Sequence, residues 1–125
     1  MFDENLKRVA DALIQNCRNN EEMKGLDELY APTAVSIEAA DMGGGNVVTE
    51  GVEAIKAKHD WWNSMMEVHD AKVEGPFLHG DKQFGAIFEL DATQKDTGER
   101  MQFREMAVYT VDDGKIVREE FFFAG

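Results

Sequence analysis

A chain of 125 residues, 43% of them hydrophobic and 30% charged, is sized for a single domain with one core. Its formal net charge of −12 opposes phosphate backbones and anionic membrane surfaces, so neither nucleic acid nor membrane is expected as a partner. No apolar run approaches the roughly 20 residues that cross a bilayer, the opening MFDENLKRV has no signal-peptide core, and the single Cys17 allows no internal disulfide; a cytoplasmic protein is the expectation.

Phe2, Leu6, Val9, Ala10, Leu13, Ile14 and Cys17 recur at helical spacing and predict a helix over 2–18, with Asp3 and Glu4 in its first turn. Cys17 reads there as a small core residue. Met23, Leu26, Leu29 and Tyr30 predict a second helix over 21–30 that Pro32 stops. Residues 34–38 read as a strand. Residues 39–50 contain Gly43-Gly44-Gly45-Asn46 and are expected to form a mobile lip over a pocket; without a lysine or a strand-to-helix setting they are no phosphate cradle.

A third helix, over 51–68, presents Ile55, Lys58, His59, Trp61, Trp62, Met65 and Met66. Strands follow over 69–78 and 82–93, the first interrupted at Gly75-Pro76 because proline cannot donate to a ladder. Met101 to Phe123 closes the chain as a hairpin around Asp112-Asp113-Gly114. Helices gathered at the start and strands at the end predict an α+β fold with an antiparallel sheet covered on one face.

Side chains two apart on a strand share a face, so Phe103, Glu105, Ala107, Tyr109 and Val111 form one set. Its continuation depends on the turn. A two-residue Asp113-Gly114 turn sets Val111 against Ile116 and adds Arg118, Glu120 and Phe122. A three-residue Asp112-Asp113-Gly114 loop sets Val111 against Lys115 and adds Val117, Glu119, Phe121 and Phe123. The left-handed position that suits glycine favours the second, which places Glu119 opposite Ala107 and diagonal to Glu105, about 7–8 Å away. Two carboxylates so placed in an apolar cavity raise at least one pKa. The competing arrangement pairs them at the surface with Arg104 and Arg118.

The order of elements, with YAPTAVSIE at 30–38 and DGKIVRE at 113–119, resembles the NTF2-like superfamily, and within it the SnoaL-like proteins, which include polyketide cyclases and ketosteroid isomerases. The resemblance implies a cone: three helices packed on a strongly bent antiparallel sheet around an interior pocket. Glu38 falls where ketosteroid isomerases carry their base. Their phenol donor on the first helix has no counterpart here, and their late-strand acid matches near Ala107, two residues from Glu105. The resemblance also implies a homodimer through the outer sheet face, where Met106, Val108, Ile116 and Phe122 lie beside Arg104, Arg118 and Glu120.

The candidate catalytic residues are therefore Glu38, Glu105, Glu119 and His59, with Trp61, Trp62, Met65, Phe103, Tyr109 and Phe121 as candidate ligand contacts. Glu38 or Glu119 would abstract a proton α to a carbonyl, and a protonated Glu105, Tyr109 or His59 would hydrogen-bond the enolate. Adjacent tryptophans on a helix point about 100° apart, so one of Trp61 and Trp62 faces inward. His59, His69 and His79 have no metal-ligand spacing, and neither metal nor cofactor is expected. The expectation is an isomerase, cyclase or dehydratase acting on a small hydrophobic carbonyl compound. The alternative is a binding or assembly module without chemistry.

Overall fold

The carboxylate of Asp3 accepts hydrogen bonds from the backbone N–H groups of Asn5 (2.8 Å) and Leu6 (3.2 Å) and so caps the first helix, α1, Glu4–Arg18. In the computed structural model, residues 3–40 and 47–123 are described. Phe2 and the Gly43-Gly44-Gly45 lip lie outside the described residues. A second helix, α2 (Glu22–Leu29), leads directly into strand β1 (Tyr30–Ile37). Pro32 thus lies inside a strand. The β1 register shifts between Tyr30 and Val35, the kind of interruption that tolerates a residue without an N–H.

A short strand β2 (Val48–Glu50) lies in the segment expected to be irregular, and α3 (Val52–Met65) follows. The chain then changes from helix to strand without a loop. The long strands are β3 (Met66–His79), β4 (Gln83–Gln94), β5 (Arg100–Asp112) and β6 (Lys115–Phe123). The helix ends before the predicted 68 because buried Met66 already pairs with Gln94 on β4.

The strands form one sheet in the order β2-β1-β6-β5-β4-β3. It is mixed: every pairing is antiparallel except β1–β6, which is parallel. These two strands are joined through most of the chain rather than by a hairpin, so nothing obliges them to run in opposite directions. The β3–β4 ladder shifts register after Val68 and again around the cis Gly75-Pro76 peptide. Such irregularities bend a strand and increase its twist, and the sheet is strongly bent.

The helices cover one face. Leu6, Val9, Ala10, Leu13 and Ile14 of α1, Leu26 and Leu29 of α2 and Ile55 of α3 form a core with Phe84, Ala86, Ala107, Tyr109, Val111 and Ile116 of the sheet. Each large aliphatic side chain buried there contributes about 1.5–3 kcal/mol. Ile116 is fully buried in this core, not on the outer face where the sequence suggested it. The outer face carries the exposed Phe77, Met106 and Phe122. Among the described residues, no helix is long and apolar enough to cross a membrane.

Candidate functional site

The closing hairpin sets the site. Asp112 opposes Lys115 and Val111 opposes Ile116, so the turn is the two-residue Asp113-Gly114, with φ of 51° and 74°. That is the left-handed pair of a type I′ turn, which aspartate tolerates and glycine prefers. The expected three-residue loop is therefore corrected. The turn alone would point Glu120 inward. Thr110, however, opposes Arg118, which leaves Val117 as an extra residue between two pairs. This bulge reverses the facing of everything that follows. Glu119 faces Tyr109, Phe121 faces Ala107 and Phe123 faces Glu105. Glu119, Phe121 and Phe123 share that face as expected, for a different reason, while Val117 is the bulge itself and Phe123, at the strand end, is 47% exposed. Glu119 and Glu105 are not diagonal neighbours, because the Ala107–Phe121 pair stands between them.

Glu119 is 2% exposed. Such burial is tolerable only because its oxygens accept hydrogen bonds. One bond comes from the hydroxyl of Tyr30, at the start of β1. The other comes from Ser36 Oγ at 2.7 Å, on the β1 residue that pairs with Glu119 across the parallel ladder. Ser36 Oγ in turn accepts from Lys58 Nζ at 2.7 Å, and the same ammonium is ion-paired with Glu38. Lys58 also lies 5.9 Å from the centre of the Phe121 ring, within cation–π range. The chain Tyr30–Glu119–Ser36–Lys58–Glu38 thus ties α3 to β1 and β6.

Glu105 has different surroundings. Its cross-strand partners are Phe88 on β4 and Phe123 on β6, and Phe103 precedes it by two residues on the same face. The Phe103 ring meets Phe123 edge-on at 5.9 Å and Trp62 edge-on at 6.3 Å. Among the described residues, no hydrogen bond or ion pair reaches the Glu105 carboxyl. Burial, then repulsion from Glu38 and Glu119, push that carboxyl up to about 7, against the pull of Lys58.

Burial pushes the His59 imidazole below its usual range, although the charge of Glu119 opposes this. Tyr109 stacks on Phe84 with centroids 4.7 Å apart. Burial and then the charge of Glu119 hold both Tyr109 and Tyr30 well above the ordinary phenol range, so both keep their protons at neutral pH. Burial likewise pushes the Cys17 thiol up to about 12, and it packs against the core.

Trp62 turns to the sheet, whereas Trp61 is 44% exposed and Met65 is half-buried at the end of α3. Neither arginine takes the inward glutamates: Arg104 pairs with Glu89 and Glu74, and Arg118 with Glu120. The network adds three members that the sequence reading did not single out for the site. Ser36 lies two residues before Glu38 on one strand face. Lys58 lies three residues after buried Ile55, on the helix face turned inward. Both spacings are visible in the sequence. Tyr30 sits at a helix-to-strand junction and has no comparable signal.

Two open clefts are formed, the first of which includes Phe103. One, of about 380 Å³, is lined by Asp70, Lys72, Glu89, Asp91, Gln102 and Arg104 among others, and a second, of about 490 Å³, surrounds Asp3, Asp81, Lys82 and Asp112. Neither includes Glu38, Glu105 or Glu119. Among the described residues, no group of three or more His, Cys, Asp or Glu side chains is placed to hold a metal ion.

Three helices on a bent sheet, with acids and aromatic side chains on the covered face, define an NTF2-like protein. The SnoaL-like domain family matches residues 5–123, and the chain belongs to that family. It is 34% identical to a Mesorhizobium loti protein described as a candidate SnoaL-like polyketide cyclase, with carbohydrate phosphatase as a second description; the match covers 93% of this chain and 97% of that one, at a TM-score of 0.86. A candidate isomerase from Bacillus subtilis shares the fold at 20% identity, with 97% and 84% of the two chains covered and a TM-score of 0.68. A computationally designed 17-OHP binder shares it at 16% identity, with 98% and 95% covered and a TM-score of 0.73. No curated protein matches the sequence.

Proposed function

We propose that the surface between α3 and the inner faces of β5 and β6 is a pocket for a small hydrophobic carbonyl compound. The protein acts on that compound as a cofactor-independent isomerase, cyclase or dehydratase. The observation that carries this reading is Glu105, a carboxyl set among phenylalanines and without a partner among the described residues. A group whose pKa lies near the working pH is the most effective proton exchanger. Both oxygens of Glu119 are occupied by Tyr30 and Ser36, and Glu38 is held by Lys58. Glu105 therefore replaces those two as the base: it takes a proton from the carbon beside the carbonyl and returns it to another atom of the same substrate. The groups facing it with charge are Glu38 just after β1, Glu119 from β6 and Lys58 from α3.

Exchange of α-hydrogens for deuterium, followed by NMR across a panel of hydrophobic ketones, tests this. Glu105→Gln should slow any exchange that the wild type catalyses by at least about 100-fold. An unchanged rate rejects Glu105 as the base. The second reading, a binding module without turnover, is supported by the likeness to the designed binder; it predicts saturable ligand binding with no exchange.

The exposed Phe77, Met106 and Phe122 on the outer face, with Arg104, Arg118 and Glu120 around them, suit a homodimer interface. Met106→Glu should convert a dimer to a monomer in sedimentation, and an unaltered mass for the variant would exclude this face.

A further inference from the structure

Lys58 stands between the two acids of the inner face. Its ammonium lies over the ring of Phe121, and the Ala107–Phe121 pair separates the Glu119–Tyr109 pair from the Glu105–Phe123 pair. An ammonium has three N–H donors. Ser36 Oγ takes one at 2.7 Å and Glu38 takes a second. These two contacts fix the direction of the third, which has no partner among the described residues. The side chain is 29% exposed, so that donor can be reached by a ligand. Of the other nearby donors, Tyr30 donates to Glu119 and Tyr109 is 3% exposed beneath its neighbours, while His59, whose imidazole burial pushes below its usual range, offers a neutral N–H rather than a charged one.

We propose that Lys58 is the electrophile of this site, donating its third N–H to the carbonyl oxygen of the substrate while Glu105 takes the α-proton. The assignment rests on the acid–base reading given above and adds the substrate requirement: an acidic C–H and a carbonyl oxygen on adjacent carbons, spanning the gap over Phe121. The step balances. The C–H bond breaks and an O–H bond forms on Glu105. The C–H electron pair becomes the new C=C bond, and the carbonyl π pair moves onto the oxygen beside Lys58. The net charge of the site does not change, because the negative charge leaves Glu105 as it arrives at the oxygen. A fixed donor at the place where charge develops lowers the barrier without reorganising solvent. Lys58 paired with Glu38 has its position set in advance.

A phenol imitates this transfer, since a phenolate carries its charge as an enolate does. Free beta-naphthol is un-ionised at about pH 7, because phenols titrate near 10. Bound to the wild type, it should pass its proton to Glu105 and show the absorption band of naphtholate. Lys58→Met should weaken binding by at least about tenfold and abolish the band, while Lys58→Arg should keep most of both. A naphtholate band of wild-type strength in Lys58→Met overturns the proposal, and so does the absence of saturable binding by the wild type. If Lys58→Met does not fold by circular dichroism, Lys58→Gln carries the same prediction, because an amide retains bonds to Ser36 and Glu38. Glu105→Gln separates the two readings. Loss of the band there, with naphthol still bound, supports Glu105 as the base. A band retained in Glu105→Gln and lost in Lys58→Met removes Glu105 and leaves Lys58 standing.

Discussion

Glu119 and Glu105 lie on the same face of the same sheet, one holding two hydrogen bonds and the other none among the described residues. The difference comes from the neighbouring strands. Glu119 is on β6, next to β1, and β1 supplies two hydroxyl groups, Tyr30 and Ser36. Glu105 is on β5, whose neighbours at that level present Phe88 and Phe123, which have no donor. Tyr30 and Ser36 hold the Glu119 carboxyl in place. Aromatic neighbours give Glu105 no hydrogen bond, and its burial raises its pKa to about 7. What an inward acid bonds to is decided by what the adjacent strand offers it, not by its own burial.

The strongest way to break this comparison is Glu119→Ala. It leaves two buried hydroxyl groups without an acceptor and an empty space beside Tyr109, so the expected loss is about 3 kcal/mol or more in urea unfolding. A loss under about 1 kcal/mol would mean that Glu119 is not structural. Glu105→Gln should act in the opposite direction. The native Glu105 holds its proton up to about 7, whereas an ordinary glutamate releases it near 4.5. Within that window the unfolded chain binds fewer protons than the native one, so stability falls as pH rises. Below the window the penalty vanishes, and above it the full penalty applies. Discounting for partial exposure, Glu105→Gln should gain about 2 kcal/mol over wild type at pH values above 7 and nothing below 4.5. Equal stability at high pH would show that Glu105 ionises without strain. The smallest effects sharpen the aromatic side. Trp62→Ala removes the edge contact with Phe103 and should cost about 1–2 kcal/mol. Trp61→Ala should stay within about 0.5 kcal/mol, as at other exposed positions. Equal costs would undo the assignment of Trp62 to the inner face.

The deviations from the sequence reading cluster where strands meet. The α1 stripe was legible because a 3.6-residue period leaves no other way to bury Leu6, Val9, Leu13 and Ile14 together. The facing of Glu105 was legible from alternation within β5. The facing of Glu119 depended on the turn, where glycine's preference for the left-handed position fits a two-residue turn as well as a three-residue loop. A two-residue turn plus a bulge at Val117 gives the same parity as a longer loop, because each adds one residue to the count. Parity alone could not separate them, and the separation of Glu105 from Glu119 changed with the choice.

The family domain, the helical stripe and the alternation that turns Glu105 inward follow from the order of residues, because periodicity and turn chemistry are local. The partners of the acids do not. Ser36 and Tyr30 meet Glu119 more than eighty positions away, and they do so only because β1 runs parallel to β6. Lys58 reaches Ser36 only because α3 packs across β1. Hydrogen bonding acts over about 3 Å, so the supply of donors to a buried carboxylate depends on which strands become neighbours. That adjacency is a property of the tertiary structure, and among the described residues it left Glu105 without a donor.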